Sequence, residues 1–370
     1  HDLCRRQRQM CIRDRLNMEY LKNWWSSIDR INIILILSLG FTGLILSFSI
    51  DENLSINRHS IFFLFSIFLL IALSDLDSKN IRRISLFLFI ILLTIILLIL
   101  FLDYEVKGAK RWFQIFNFTL QPSEIIKPIF VILTAWCISK SIEDKKFYLP
   151  LLFVFFFLLL SLILMQPDLG MTVLLSATFF CQLFVAGLSI FLVIVAFLFI
   201  LGISIFSYFI FDHVQSRINS FLGGLGGTDT YQIDLSIQAF KNGGLLGKGP
   251  GQGILKEKIP DANTDFIFAV AGEELGFIFC LIIIFIILSI IIRSLLKVLQ
   301  LEDPYKIIAI SGLICSFGLQ CLINIFSSLG LIPTKGMTLP FVSYGGSSMI
   351  SIAILFGFLL SLTNKKNEEL

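Results

Sequence analysis

The sequence predicts an all-α polytopic membrane protein with about ten transmembrane helices and one long extracytoplasmic loop. Three observations support this prediction. Hydrophobic residues make up 56% of the 370 residues and charged residues only 15%, a balance that water-soluble domains do not have. Apolar runs of the roughly 20 residues needed to cross a hydrocarbon core recur along almost the whole chain. Charged and turn residues separate these runs.

Each apolar run predicts one membrane span, which ends where charged, Pro or Gly residues begin. The predicted spans cover residues 31–49, 60–76, 84–102, 122–140, 149–165, 171–186, 188–211, 263–292, 306–329 and 340–362. Together they predict a single membrane domain over residues 31–363.

The distribution of Lys and Arg sets the orientation of the spans. The connections rich in these residues all fall on one side of a ten-span arrangement, and that side is predicted to be cytoplasmic, together with tails 1–30 and 364–370. Two origins stay open for residues 1–17: a native tail, or foreign sequence ahead of a native start at Met18. The outer side receives residues 103–121, 166–170, 212–262 and 330–339.

The composition also excludes several classes of function. A net charge of +3 is too small for a nucleic-acid partner. The seven cysteines contain no CxxC pair, so neither a disulfide framework nor a zinc site is predicted. The three histidines are scattered, and no Walker loop, His/Ser/Asp triad or cluster of metal ligands is recognisable.

The long outer loop, residues 212–262, exceeds an ordinary connection and is predicted to be functional. Residues 228–244 have the apolar spacing of a short amphipathic helix, which we expect to lie on the membrane surface. The stretch GGLLGKGPGQG (243–253) follows, and it contains Lys248. Its backbone N–H groups are suited to a phosphate, although a flexible link explains the glycines equally well.

Three carboxylates lie at or inside the span that follows this loop. Asp265 is placed where the chain passes from water to lipid, so it is either a helix cap or a general base with a raised proton affinity. Glu273 and Glu274 are two turns deeper, where an unpaired charge is costly. Bonding to a neighbouring helix explains them better than catalysis does.

The segment GAKRWFQIFNFTLQPSEIIKP (108–128) combines two groups of charges. Lys110 and Arg111 stand beside Trp112 in an outer loop, and an outward arginine predicts an anionic partner such as a phosphate. Glu124 and Lys127 are three residues apart at the start of the next helix, so an internal ion pair and a functional role both stay open.

Two further outer turns contain polar residues. The QPDLG turn carries Gln166 and Asp168, and the stretch LIPTKGMTLPFVSYGGSSM (331–349) carries Lys335 and Ser343. Acids, cations and glycines therefore converge on one membrane face.

The motifs GAKRW, QPSEIIK, QPDLG, GGLLGKG, NTDFIFAVAGEELG and PTKGMTLPFVSYGGSS occur in this order. The set resembles, over residues 29–363, the SEDS proteins (shape, elongation, division and sporulation) of bacteria. Within that family, GGLLGKGPGQG and IPTKGMTLP look more like the division members than the elongation members.

The resemblance implies a ten-helix enzyme that polymerises lipid II into glycan strands at the outer face of the bacterial inner membrane. The family's essential acid matches Asp265. The family usually has His two residues earlier, where this chain has Asn263, which puts any tuning of the acid by an imidazole in doubt. The Arg and Trp of GAKRW match Arg111 and Trp112, and the Glu and Lys of the next motif match Glu124 and Lys127.

The implied mechanism is an inverting transfer in which Asp265 deprotonates a sugar hydroxyl. The candidates for binding the leaving pyrophosphate are cations and polar groups of the outer face, with a divalent cation, Mg²⁺ or Mn²⁺, as a further candidate. They are Lys110, Arg111, Trp112, Lys248, Lys335 and Ser343. The supporting residues are expected to be Glu124, Lys127, Gln166, Asp168, Glu273 and Glu274.

The implied partners are lipid II, the growing glycan strand, a class B penicillin-binding protein and other membrane proteins of the division machinery, and the implied site of action is the septum. Three alternatives stay open: a flippase for the lipid-linked precursor, a scaffold, and an elongation-type polymerase. Glu273 and Glu274 are the residues that favour transport.

Overall fold

The structure is a computed structural model, and it describes residues 22, 24–50, 55–101, 111–115, 118–143, 147–210, 215, 219, 228–334 and 336–364. Two predicted site residues, Lys110 and Lys335, lie outside the described residues.

The described chain is nearly all helical. Its helices are α1 (Arg30–Ile50), α2 (Ser55–Ser74), α3 (Ser78–Phe101), α4 (Pro122–Ile142), α5 (Tyr148–Met165), α6 (Leu169–Val185), α7 (Ile190–Ile210), α8 (Thr228–Gly243), α9 (Ile267–Glu274), α10 (Gly276–Val298), α11 (Pro304–Ser328) and α12 (Gly346–Leu362). A small antiparallel hairpin joins β1 (Phe113–Ile115) to β2 (Phe118–Leu120), and a 3₁₀ turn covers Leu255–Glu257.

The prediction of a polytopic all-α membrane protein is confirmed, because every predicted span contains a helix, although residues 340–345 of the last predicted span form a turn before α12. Six of the described helices are long and apolar enough to cross a membrane, namely α1, α3, α4, α5, α10 and α11. Three more apolar helices are shorter, and they include α6 and α12. Large apolar side chains are exposed on the helices at the periphery of the bundle, as contact with lipid requires.

Two helices form the centre of the bundle. In α4 and α11, 72% and 67% of the most apolar stretch is buried, against 28% in α3 and α10. α4 packs against α3, α11 and α12, and α11 also packs along α6. Protein surrounds the central helices on all sides. They can therefore carry polar side chains that would be too costly in contact with lipid.

The prediction of one continuous span over residues 263–292 is wrong. Gly276 has a φ of +82°, which separates α9 from α10. A Cβ at Gly276 would lie 2.3 Å from the backbone N of Gly247. The glycine-rich residues 243–253, the glycine loop, therefore pack directly against the break. α10 alone, with 23 residues, is about 34 Å long, which is enough to cross a hydrocarbon core of roughly 30 Å. α9, with Glu273 and Glu274, therefore lies outside this membrane-length helix, beyond its N-terminal end.

The amphipathic helix expected over residues 228–244 is present as α8, but it packs on protein. Its buried residues include Ile233 and Ala239, and the ring of Phe240 lies 5.7 Å from that of Phe268 in α9. The Ser236 hydroxyl donates to the carbonyl oxygen of Ser328 at the end of α11, at 2.5 Å. The apolar face of α8 thus covers α9 and α11, which corrects the expectation of a membrane-surface helix.

Candidate functional site

Asp265 lies in a turn immediately before α9. The N–H groups of Thr264 and Asp265 each donate to the carbonyl oxygen of Asp261 at 3.0 Å, and Asp261 has a φ of +57°, a conformation that aspartate adopts more readily than most residues. The N-cap of α9 is Phe266, which makes no side-chain capping bond. The alternative that Asp265 caps this helix is therefore wrong, and the side chain is partly exposed.

The backbone before Asp265 is bonded to the segment that precedes α12. The N–H of Tyr344 donates to the carbonyl oxygen of Asn263 at 2.9 Å. The hydroxyl of Ser343 donates to the carbonyl oxygen of Thr264 at 2.5 Å, and it accepts from the N–H of Leu339 at 2.8 Å. Ser343 is only 2% exposed. The Ser343 hydroxyl thus holds the backbone of the turn, and its role in binding pyrophosphate stays a prediction.

The Asp265 carbonyl itself is bonded to α11. The side-chain amide of Asn324 donates to the carbonyl oxygen of Asp265 at 2.9 Å and to that of Met337 at 2.6 Å. Three consecutive carbonyl groups, 263 to 265, are thus fixed by residues that come much later in the chain. On the side-chain face, Oδ2 of Asp265 lies 3.7 Å from the position that a Cβ at Gly336 would take. Gly336 is exposed, so this wall of the site is open.

A buried polar network lies beneath this turn. Lys127 Nζ lies 2.7 Å from Glu124 Oε2 and 2.7 Å from Gln320 Oε1. The Gln320 amide nitrogen donates to the carbonyl oxygen of Thr338 at 3.1 Å. Glu124 and Lys127 are 7% and 2% exposed. The network therefore joins α4, α11 and the segment next to Gly336, and the ion pair is internal.

Arg111 holds the QPDLG turn. Its Nε donates to the carbonyl oxygen of Gln166 at 2.9 Å, another guanidinium N–H donates to the carbonyl oxygen of Pro167, and Nη1 lies 3.4 Å from Asp168 Oδ2. Asp168 also caps α6 by accepting from the N–H of Met171 at 3.1 Å. The anionic partner of Arg111 is therefore a protein carboxylate, where the sequence predicted a phosphate.

The glycine loop folds around Glu273 and Glu274. The Glu273 carboxylate accepts from the N–H of Leu255 at 3.0 Å, and the Glu274 carboxylate accepts from those of Gly251 and Gly253 at 3.2 and 3.3 Å. These N–H groups already donate to protein carboxylates, so the prediction that they bind a phosphate is wrong. The two carboxylates are buried because the loop supplies the hydrogen bonds that water would otherwise provide.

Two lysines accompany these carboxylates. Lys248 Nζ lies 3.4 Å from Glu273 Oε1, with a side chain that is 30% exposed. Lys256, which the sequence analysis did not single out, is 2.9 Å from Glu274 Oε1 and donates to the carbonyl oxygen of Ser49 at the end of α1. Both pairs lie at the far end of α9, about 10 Å along its axis from the turn of Asp265.

Comparison with known proteins agrees with this architecture. The model of the family described as "Cell cycle protein", which is named for FtsW, RodA and SpoVE, matches residues 19–368. The chain belongs to this family. The resemblance to the SEDS proteins that the motifs indicate is thereby confirmed.

Several relatives of this FtsW/RodA/SpoVE-family protein are similar over most of their length. The "Probable peptidoglycan glycosyltransferase FtsW" of Caulobacter vibrioides is 36% identical over 356 residues, which cover 93% of this chain and 91% of that protein. The protein of the same name from Idiomarina loihiensis is 34% identical over 324 residues, covering 84% of this chain and 78% of that protein.

Solved structures share the fold. A chain of a peptidoglycan synthase complex superposes with a TM-score of 0.78 at 22% identity, covering 91% of this chain and 98% of that chain. The rod shape determining protein RodA of Thermus thermophilus superposes with a TM-score of 0.65 at 24% identity, covering 92% and 97%.

The predicted site residues of this family member thus fall into separate groups. Asp265, Ser343 and the segment around Gly336 come together, and Lys335 precedes Gly336 in the chain but lies outside the described residues. Trp112 is partly exposed and directly precedes β1. Lys248 lies at the other end of α9.

Two amides of α11, Gln320 and Asn324, were missed by the sequence analysis. Both are 1% exposed and both contact the segment 337–338. The signal was present, because amides inside an apolar span require partners and these two are four residues apart on one helix face.

The donor set for a divalent cation is small. Among the described residues, no group of three or more His, Cys, Asp or Glu side chains is placed to hold a metal ion. Mg²⁺ commonly needs only one or two protein carboxylates when substrate phosphates supply the other oxygens. Asp265 fits that limited role, since its carboxylate is partly exposed.

Proposed function

We propose that this multi-pass membrane protein is a peptidoglycan glycosyltransferase of the division type, which polymerises lipid II into glycan strands at the outer face of the bacterial inner membrane. The 36% identity to a probable peptidoglycan glycosyltransferase FtsW over 93% of the chain carries the proposal. The placement of Asp265 in a turn fixed at three successive carbonyl groups supports it.

The chemistry requires one base at a defined position. A sugar hydroxyl attacks an anomeric carbon that carries a lipid pyrophosphate, the new glycosidic bond forms as the bond to the pyrophosphate breaks, and the hydroxyl proton passes to Asp265. A positioned general base contributes about 10²–10⁴ in rate. The turn supports this role because its backbone is rigidly bonded while the carboxylate faces the open side at Gly336.

Stabilisation of the leaving pyrophosphate supplies a further part of the rate. Lys110 and Lys335 are our candidates, because one adjoins Arg111 in the chain and the other adjoins Gly336. Lys248 is a more distant candidate, since its ammonium is paired with Glu273. A Mg²⁺ or Mn²⁺ ion held mainly by the phosphate oxygens would also supply positive charge to the leaving group.

The flippase is less well supported than the polymerase. Glu273 and Glu274 favoured transport on the assumption that they lie deep in the membrane, but they lie in α9, before the N-terminal end of the membrane-length helix α10, and bind the glycine loop. An elongation-type polymerase is also less well supported, because the full-length relatives reported above carry the name FtsW and the RodA likeness concerns the fold.

We also propose a class B penicillin-binding protein as partner, with further membrane proteins of the division machinery, at the septum and with both termini in the cytoplasm. The structural likeness to a chain of a peptidoglycan synthase complex supports a partner of this kind.

The test is polymerisation of lipid II by the purified protein together with its penicillin-binding partner, followed by gel separation of the glycan strands. We expect strands from the wild type and from Asp234→Asn, an exposed carboxylate of α8 that receives the same change. Asp265→Asn is expected to lose at least about 10²-fold in rate. Strands at the wild-type rate from Asp265→Asn would contradict the base, and no strands from the wild type would contradict the polymerase.

A further inference from the structure

Asn324 is an amide inside an apolar membrane helix, and both of its N–H groups are used. It is 1% exposed. One N–H donates to the carbonyl oxygen of Asp265 at 2.9 Å and the other to that of Met337 at 2.6 Å. The two acceptors belong to different segments, the turn before α9 and the loop after α11.

The orientation of this amide follows from its surroundings. Both atoms opposite Nδ2 are carbonyl oxygens, which accept but do not donate hydrogen bonds, so the amide oxygen must point away from them. Among the described residues, that oxygen, Oδ1 of Asn324, is buried and has no hydrogen-bond partner. A buried unpaired acceptor costs about 1–3 kcal/mol. The fold therefore keeps the two hydrogen bonds donated by the Asn324 amide although its oxygen accepts none among the described residues.

The two bonds connect opposite walls of the site. Asp265 carries the carboxylate, and Met337 follows Gly336, which lies next to Oδ2 of that carboxylate. Asn324 thus ties the backbone of the acid to the segment beside it. Ser343 and Tyr344 bond the two preceding carbonyl groups.

We propose that Asn324 is a positioning residue, which sets the location of the Asp265 carboxylate through the Asp265 backbone. The inference rests on the proposed function, because it assumes that Asp265 is the base. The alternative is that Asn324 only stabilises the packing of α11. The two roles differ in consequence: a misplaced base lowers kcat, whereas a loss of packing lowers thermal stability and the amount of folded protein.

The chain offers a closely matched control. Asn32 in α1 is also a buried amide, 0% exposed, which donates from Nδ2 to the hydroxyl of Ser294 at 3.2 Å. Its Oδ1 is likewise buried without a partner in the described part of the chain. Asn32→Leu and Asn324→Leu therefore make the same chemical change to two cross-helix amides, of which only one contacts the site.

The experiment compares lipid II polymerisation by the full chain with its penicillin-binding partner, as initial rates over a range of lipid II concentrations. Displacement of a reacting group by about 1 Å can cost 10²-fold, so we expect Asn324→Leu to lower kcat by about 10–10²-fold with KM within about twofold. Asn32→Leu is expected to keep the wild-type kcat. Equal kcat values for the two variants would overturn the proposal. So would a loss of activity in Asn324→Leu that appears only as a raised KM.

A second measurement does not depend on activity. Amide hydrogen exchange over residues 261–266 and 337–342 is expected to accelerate in Asn324→Leu and to stay unchanged in Asn32→Leu, because only the first releases these segments. Unchanged exchange in Asn324→Leu would also overturn the proposal. If Asn324→Leu does not fold, Asn324→Ser, which is smaller and too short to reach both carbonyls, replaces it in both measurements.

The outcomes separate the inference from the proposed function. Wild-type activity that is lost in Asp265→Asn but kept in Asn324→Leu overturns only the positioning role. An inactive wild type overturns the polymerase, and the exchange measurement then still decides whether Asn324 holds the turn.

Discussion

Replacement of Lys127 by methionine tests how strongly the buried ion pair of α4 stabilises the protein. Lys127 Nζ lies 2.7 Å from Glu124 Oε2, and the Lys127 side chain is only 2% exposed. Methionine preserves most of the volume but leaves the Glu124 carboxylate buried without its cation. Removing one partner of a buried pair costs about 3–5 kcal/mol. The same change leaves the amide oxygen of Gln320 without its donor, which adds to the loss.

The same helix provides the control. Lys140 Nζ lies 2.5 Å from Glu143 Oε2 at the same spacing of three residues, but these side chains are 25% and 50% exposed. Exposed pairs contribute about 0–1 kcal/mol, because water solvates both charges when the pair is broken. Lys140→Met should therefore leave stability nearly unchanged, although charge, residue type and helix are the same.

The assay is the thermal midpoint of the detergent-solubilised protein, measured as the fraction that stays folded and monodisperse after heating. Lys127→Met should melt several degrees below both the wild type and Lys140→Met. The double variant Glu124→Gln/Lys127→Met removes both buried charges and should recover much of the loss. Equal midpoints for Lys127→Met and Lys140→Met would refute the reasoning from burial, and no recovery in the double variant would show that packing rather than charge is responsible.

Two further predictions concern other parts of the fold. Burial raises the pKa of Asp29, but hydrogen bonds from Lys297 and Arg293 outweigh it and hold the pKa below the usual 3.8. The stabilisation that ionised Asp29 gives the folded state is present above pH 3.8, and it is lost as the pH falls through the lowered pKa. The thermal midpoints of wild type and Asp29→Asn should therefore differ at neutral pH and converge below about pH 4; a constant difference would contradict this. Gly276→Ala should destabilise far more than Gly251→Ala, because both have φ near +80° but only Gly276 touches neighbouring backbone. Similar yields and midpoints for the two would show that packing at the break is unimportant.

The membrane spans were predictable because they depend on composition and length. The hydrophobic effect and the thickness of the bilayer require long apolar runs, and these are visible without knowledge of any contact. The break at Gly276 was not predictable in the same way. A glycine inside an apolar run is compatible with a continuous membrane helix, and only the close approach of Gly247 shows why the chain turns there.

The site was only partly predictable for a related reason. Asp265 stood out because a carboxylate at the edge of lipid is unusual, but the partners of polar residues depend on tertiary contacts. Arg111 could have bound a phosphate or a carboxylate, and the structure provides Asp168. Ser343 looked accessible in a turn, yet it is buried against Thr264. Asn324 escaped notice although Gln320 lies one turn earlier on the same helix face, because amides in an apolar run do not reveal what they bond.

The bonds to the turn of Asp265 have a consequence for biogenesis. Asp265 is synthesised 59 residues before Asn324, which bonds its carbonyl oxygen. Thr264 is synthesised 79 residues before Ser343, which bonds the Thr264 carbonyl oxygen. Ser343 lies three residues before α12, so the turn cannot acquire its final bonding until the segment that leads into this helix has been synthesised. A nascent chain that has already inserted most of its helices still lacks the assembled turn. Competence is thereby confined to chains that have been synthesised at least as far as Tyr344.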